Sequence, residues 1–94
     1  MKYEDWVQLT DAERASLQKQ WNAYGEGYWH ELVGEAATRF RAEFGHTPHV
    51  VNIHSGVHHG GELIIGVNTN LSYPHKASLP ETYAGFRVLQ FCAA

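Results

Sequence analysis

The feature that most constrains this chain is a long stripe of apolar side chains at helical spacing, between Thr10 and Gly45. Successive members are three or four positions apart, so all of them fall on one side of an α-helix. The stripe comprises Leu17, Trp21, Tyr24, Tyr28, Leu32, Ala36, Phe40 and Phe44. Thr10 and Glu13 form a capping-box pattern at its start, and Gly45 ends it. The sequence therefore predicts an amphipathic helical segment with one buried side.

This helical segment is too long to be one straight helix of a compact domain. A helix over residues 11–44 would be about 50 Å long, whereas a domain of this size is about 30–35 Å across. Gly25 and Gly27 lie in its middle, and each costs up to about 1 kcal/mol in a helix interior. We therefore predict two helices, at about 11–23 and 27–44. The alternative is a continuous helix whose overhang is buried in a partner chain.

After Gly45 the pattern changes to short β-branched runs, which are typical of strands. The predicted strands span about 49–54, 62–67 and 86–91. The glycine-rich residues 55–61 predict a hairpin connection between the first two strands. One face of this hairpin is expected to be apolar and to carry Val51, Ile53, Leu63, Ile65 and Val67.

The last strand follows a link that is long for a compact domain and contains two prolines. We expect a short helical turn at 79–84 in this link, and another at 3–9 near the N-terminus. The strand itself is apolar on both faces, because Phe86 and Val88 alternate with Leu89 and Phe91. Such a strand is typically covered on both sides or lies in an interface.

Helices followed by strands predict an α+β fold, with the N-terminal helices packed on a small three-stranded, mainly antiparallel sheet. The 94 residues are 44% hydrophobic and 18% charged, which predicts a single domain over residues 1–94 and excludes a disordered chain. A chain of this length has a modest core, and self-association would stabilise it.

The composition also narrows the class of partner. The formal net charge is −3, and the largest basic cluster is the pair Arg39 and Arg41, which argues against nucleic-acid binding. No apolar run reaches the roughly 18 residues of a membrane span. The N-terminal residues lack the apolar core of a signal peptide. Cys92 is the one cysteine and cannot form an internal disulfide, so we expect a cytoplasmic protein.

Histidine is unusually frequent, with seven residues against seven Lys and Arg together, and six histidines fall between residues 46 and 75. Imidazole is a common metal ligand, and a regular hairpin would gather several candidate ligands at its loop end. These are His54, His58, His59 and Glu62. Because neighbouring side chains on a strand diverge, only one of His58 and His59 can join the other two in a three-ligand site. A polar loop with solvated histidines is the favoured interpretation, and a site for zinc or another divalent transition metal is the alternative.

A second candidate site is aromatic. Tyr24, Tyr28 and Trp29, together with Trp21, surround Gly25 and Gly27. Large rings beside small residues can form a groove for a peptide, sugar or base. The competing interpretation is that the stripe members are core residues. Trp29 lies off the stripe and is the ring we expect to be exposed or at an interface.

No catalytic motif is present, and no cofactor is expected. The sequence favours a non-catalytic protein-interaction or regulatory domain that self-associates as a homodimer or binds a protein partner. Two alternatives remain open. One is a metal-dependent hydrolase that uses the histidine-rich hairpin, and the other is an inhibitor of a larger host protein.

Overall fold

The structure, a computed structural model, describes the backbone of residues 1–24 and 28–92 and the side chains of residues 1–20 and 30–92. Its N-terminal half contains the α-helices α1 (Tyr3–Gln8), α2 (Asp11–Tyr24) and α3 (Tyr28–Phe44). The capping box starts α2 as predicted. The Thr10 amide donates to Glu13 Oε1 at 3.0 Å, and the Glu13 amide donates to Thr10 Oγ1 at 3.2 Å.

The predicted helices are confirmed within one residue at their described ends, and α1 confirms the short N-terminal helical turn. The predicted break at Gly25–Gly27 lies outside the described residues. The longest dimension of the molecule is 35 Å, which is too short for the straight helix of about 50 Å that residues 11–44 would otherwise form.

The C-terminal half forms a four-stranded mixed sheet of β1 (Val50–His58), β2 (Glu62–Thr69), β3 (Thr82–Tyr83) and β4 (Phe86–Phe91), in the order β1-β2-β4-β3. The class α+β is confirmed. The prediction of three mainly antiparallel strands is wrong in two details, because β3 is an additional strand and β4 runs parallel to β2. Parallel neighbours need a crossover of about a dozen residues, which the long link after β2 supplies.

The first strand is longer than predicted and reaches His58, so residues 55–58 belong to β1 and the loop is only the 3₁₀ turn His59–Gly61. A register irregularity lies between Val50 and Asn52, where two steps on β1 oppose one step on β2. Val51 lies at this bulge and is 67% exposed, so its predicted place on the apolar face is wrong. The bulge removes it from the regular alternation of the strand.

The helical turn predicted at 79–84 is also wrong, because this segment contains β3 and a tight turn into β4. The two turn residues, Ala84 and Gly85, both have positive φ angles of 52° and 81°. A two-residue hairpin turn of type I′ requires positive φ at both central positions. The indole of Trp6 donates a hydrogen bond to the Ala84 carbonyl at 2.5 Å, which ties this turn to α1.

The helices pack on one face of the sheet, which we call the covered face. The apolar side chains predicted there, except Val51, are buried, and the central helix residues of this core are Trp6 and Phe40. Phe86 of β4 stacks on Trp6 with the ring centroids 5.1 Å apart. The buried core comprises Tyr3, Trp6, Leu32, Val33, Ala36, Ala37, Phe40, Ile53, Leu63, Ile65, Val67, Phe86 and Val88. Among the described residues, no helix has the length and apolar character that crossing a membrane would demand.

Candidate interaction surface

The opposite side of the sheet, which we call the open face, carries the residues that alternate with the core. Ile64, although 2% exposed, does not belong to the core cluster, and this places the even-numbered residues of β2 on the open face. The strand register then adds their cross-strand partners from β1 and β4. The open face consists of Asn52, His54, Gly56, His58, Glu62, Ile64, Gly66, Asn68, Arg87, Leu89 and Phe91.

The centre of the open face is built around a glycine. Gly66 lies between His54 of β1 and Leu89 of β4 in the strand register. A Cβ atom at Gly66 would lie 2.4 Å from Cε1 of His54, so the imidazole occupies the space of the absent side chain. The imidazole also stacks on Phe91, with ring centroids 6.3 Å apart and an angle of 17° between the planes. The His54 ring thus covers the backbone of the sheet at Gly66.

Next to this centre, Ile64 is screened by polar neighbours. Glu62 Oε1 accepts a hydrogen bond from Arg87 Nη2 at 2.6 Å, and the side chains of the pair are 34% and 48% exposed. Arg87 is the register partner of Ile64 on β4. Such an exposed ion pair contributes at most about 1 kcal/mol. It leaves the open face without net fixed charge, because Glu62 and Arg87 neutralise each other.

The structure does not bring the four predicted metal ligands together. His54 and His58 share the open face but are four positions apart along the strand, which is about 13 Å. His54 lies in mid-strand, because β1 extends past the predicted loop boundary. The rings of His58 and His59 are 4.6 Å apart at the hairpin end, and Glu62 is engaged by Arg87. Within the described residues, no three His, Cys, Asp or Glu side chains form a group that can hold a metal ion.

The free edge of β1 borders the open face. β1 has β2 as its one neighbour in the sheet, so its other side is an edge. Two of its carbonyls have side-chain partners. Arg41 Nη2 of α3 donates to the Ile53 carbonyl at 2.5 Å, and Nδ1 of His54 lies 3.1 Å from the Ser55 carbonyl oxygen. A small concavity of about 150 Å³ lies at this edge and is lined by Arg41, Gly45, Val50, Val51, Asn52 and Ile53.

A larger concavity of about 480 Å³ lies on the other side of the molecule, between α1, α2 and the turn after β3. Arg14 dominates its wall, and this side chain is held by Asp11 and by the Leu9 carbonyl at 2.5 Å each. Gln18 donates to the Gly85 carbonyl at 3.3 Å. Some polar groups of this concavity therefore bind one another, whereas Arg14 Nε is buried without a hydrogen-bond partner among the described residues. The side chains of Tyr24, Tyr28 and Trp29, which predicted an aromatic groove, lie outside the described residues.

Two tyrosines on the covered side have raised pKa values. Burial raises the pKa of Tyr83 to about 12, assisted by its hydrogen bond to Glu43. The Tyr83 hydroxyl donates to Glu43 Oε2 at 3.0 Å, which stabilises the protonated phenol. Burial also raises the pKa of Tyr3, against the opposing effect of Arg39. The main cause of both shifts is burial of the tyrosine side chains.

The sequence patterns indicated His54, His58 and Glu62 as candidate site residues. They did not indicate that Gly66, Leu89 and Phe91 belong to the same surface. A glycine inside an otherwise β-branched strand signals the close approach of another group, and Gly66 is such a residue. This signal does not identify the approaching group. The alternation of β4 did place Leu89 and Phe91 opposite the core, but only the parallel pairing brings Phe91 beside His54.

Comparisons of the chain with protein-family models, with curated proteins and with solved structures give no match.

Proposed function

We propose that the protein is a non-catalytic protein-interaction domain that self-associates through the β1 side of its sheet. The observation that carries this proposal is the exposure of apolar side chains on the free edge and on the open face. Val51 is 67% exposed and Val57 is 57% exposed on β1, and Phe91 is 40% exposed on the open face. Exposed apolar side chains on an unpaired strand and an uncovered face are typical of contact surfaces.

The β1 strand itself carries no fixed charge that would oppose a second copy as the partner. The chain has a net charge of −3, so two copies repel each other over most orientations. β1 contains no Asp, Glu, Lys or Arg, and the Glu62–Arg87 pair on the open face is neutral. The fixed charge that the described contacts place at this edge is that of Arg41, which is bound to the Ile53 carbonyl. The cellular location that we propose is the cytoplasm, because the lone Cys92 suits a reducing compartment.

Sedimentation velocity tests this proposal over protein concentrations from about 1 µM to about 1 mM. The expected weight-average mass rises from that of one chain to that of two. A variant with Val57→Ser and Phe91→Ser should need a concentration about tenfold higher for the same mass. Val7→Ser is the matched control, because Val7 is 40% exposed on α1, away from the sheet. A wild-type mass that stays at one chain throughout overturns the proposal.

A further inference from the structure

β1 has the properties of a strand that adds to another strand. It is nine residues long and lies at the edge of the sheet. Edge strands that natural proteins keep unpaired are commonly short, carry lysine or proline, or contain a bulge. β1 contains no lysine, no proline and no fixed charge, and its bulge lies at its start, between Val50 and Asn52. The edge from Ile53 to His58 is therefore regular. Its free backbone groups can therefore bind an extended segment of a partner through main-chain hydrogen bonds.

The hydrogen bonds of the edge indicate which residues face such a partner. In an antiparallel pair, alternate residues direct both their amide and their carbonyl away from the neighbouring strand. The Ile53 carbonyl is reached by Arg41, and the Ser55 carbonyl by the ring of its neighbour His54. Both contacts assign the outward direction to the odd-numbered residues of the regular part of β1, which are Ile53, Ser55 and Val57. Each carbonyl oxygen has two acceptor positions, so Ile53 can retain Arg41 while it accepts an amide of the partner.

The two ends of β1 are complementary in shape, since one carries a concavity and the other an exposed valine side chain. The concavity of about 150 Å³ lies beside Val51. Val57, which is 57% exposed, lies equally far from His54 in the opposite direction along the strand. A two-fold axis at His54 places Val57 of each copy opposite Val51 of the other, at the mouth of the concavity. The same contact then forms twice, as a symmetric dimer interface requires, and each contact pairs two β-branched side chains across strands.

We propose that β1 pairs antiparallel with β1 of a second copy, in a register centred on His54, to form one continuous eight-stranded sheet. Ile53 then exchanges backbone hydrogen bonds with Ser55 of the other copy, and the side chains of Val51 and Val57 contact each other across the two strands. The two His54 residues face each other as a pair without backbone hydrogen bonds, in which the Cα atoms are about 4.5 Å apart. This inference rests on the proposed self-association and names the contact through which it occurs.

Disulfide trapping tests the register. In a Cys92→Ser background, His54→Cys places two thiols at the axis, where the Cα separation is within the range of a disulfide. Asn52→Cys is the matched control on the same face of β1. In this register it faces Gly56 of the other copy, and the two introduced thiols lie about 13 Å apart. After mild oxidation, non-reducing electrophoresis should show a covalent dimer for His54→Cys and a monomer for Asn52→Cys.

A second measurement tests the β1 contact without an introduced cysteine, so that the result does not depend on the folding of the cysteine variants. Val57→Asp places a charge at the interface, on a side chain that is largely exposed in the single chain. Sedimentation should show dimerisation weakened about tenfold or more, while Val7→Asp on α1 leaves it unchanged. Circular dichroism verifies that each variant retains the native secondary structure.

The outcomes separate the two proposals. If the wild type dimerises, but both cysteine variants cross-link equally or neither does, and Val57→Asp dimerises normally, the β1 contact is wrong and self-association occurs elsewhere. A covalent dimer of Asn52→Cys alone also overturns the register. If the wild-type mass stays at one chain up to about 1 mM, self-association itself is wrong.

Discussion

The two faces of the sheet are closed in different ways. The covered face is sealed by helices, and Trp6, Phe40 and Phe86 are fully buried there. The open face is closed by its own side chains, since the His54 ring lies over Gly66 and the Glu62–Arg87 pair lies beside Ile64. One layer of side chains suffices to bury Ile64 to 2% exposure, but it leaves Phe91 at 40%. A sheet can thus protect its centre without a second layer and still present an apolar rim.

Two phenylalanines on β4 provide the sharpest test of this difference. Phe86 stacks on Trp6 in the core, and Phe91 stacks on His54 at the open face. Phe86→Ala should lower the free energy of unfolding by about 3–5 kcal/mol, because it leaves a cavity among buried rings. Phe91→Ala should cost at most about 1 kcal/mol, because the side chain is already partly in water.

Urea unfolding followed by fluorescence measures both variants. It is done at a concentration at which the wild type is monomeric, so that any dimer does not contribute to stability. Comparable losses for the two variants would mean that the open face is packed as firmly as the core, and the distinction between the faces would fail.

Replacing each of two glycines by alanine tests whether the His54 ring covers the open face. The expected change in stability is smaller than for Phe86→Ala. Gly66→Ala forces the His54 ring off the sheet, since the new Cβ would lie 2.4 Å from a ring carbon. We expect a loss of about 0.5–1.5 kcal/mol, the cost of an off-rotamer side chain, because the three atoms nearest to the new Cβ are all ring atoms of His54. Gly34→Ala on α3 is the matched control, because its Cβ has nothing within 4 Å. That variant should gain up to about 1 kcal/mol from helix propensity.

A double variant identifies the cause of the Gly66→Ala effect. If the ring of His54 is what the new methyl group meets, His54→Ala combined with Gly66→Ala should be more stable than the sum of the single losses predicts. Additive losses in thermal unfolding would show that the backbone at Gly66, rather than the ring, is responsible.

The elements of the fold were predictable where a local signal determined them. The capping box at Thr10 and Glu13 and the regular apolar stripe fixed the helices, because both signals act over three or four residues. The pairing of β4 was not predictable, since parallel and antiparallel partners present the same alternation along a strand. The exposure of Val51 depends on a bulge, which arises from the register of two strands rather than from either sequence.

The candidate surface was predictable only in pieces. The histidines suggested a site by their number, but β1 runs straight through the segment that the glycines marked as a loop. Straight strand geometry then separates His54 from His58 by about 13 Å. Conversely, Gly66 and Phe91 lie 25 residues apart in the chain and carry no shared motif. Their common partner, His54, is identified only by the positions of three strands.

The smallest expected effect on stability comes from the ionisation of Tyr83 on the covered face, where both burial and a neighbouring charge shift the pKa. The pKa of Tyr83 is raised to about 12, first by burial and then by the hydrogen bond to Glu43. A pKa that is higher in the folded state means that the protonated phenol stabilises the fold. This contribution is complete below about pH 10, the ordinary tyrosine pKa, and it is lost as the pH rises through about 12. Tyr83→Phe keeps the ring against Phe40 and Phe44 but removes the ionisable hydroxyl.

We therefore expect Tyr83→Phe to change stability little at neutral pH, and to make the loss of stability between about pH 10 and about pH 12 less steep. The slope does not vanish, because the pKa of Tyr3 is also raised by burial. Glu43→Gln should shift the ultraviolet titration of Tyr83 towards its ordinary pKa, since the acceptor charge is removed. An unchanged alkaline slope in Tyr83→Phe, or a Tyr83 that titrates near pH 10 in the wild type, would show that water reaches this phenol. The covered face would then be as accessible at its rim as the open face, and the difference between the two would be confined to their centres.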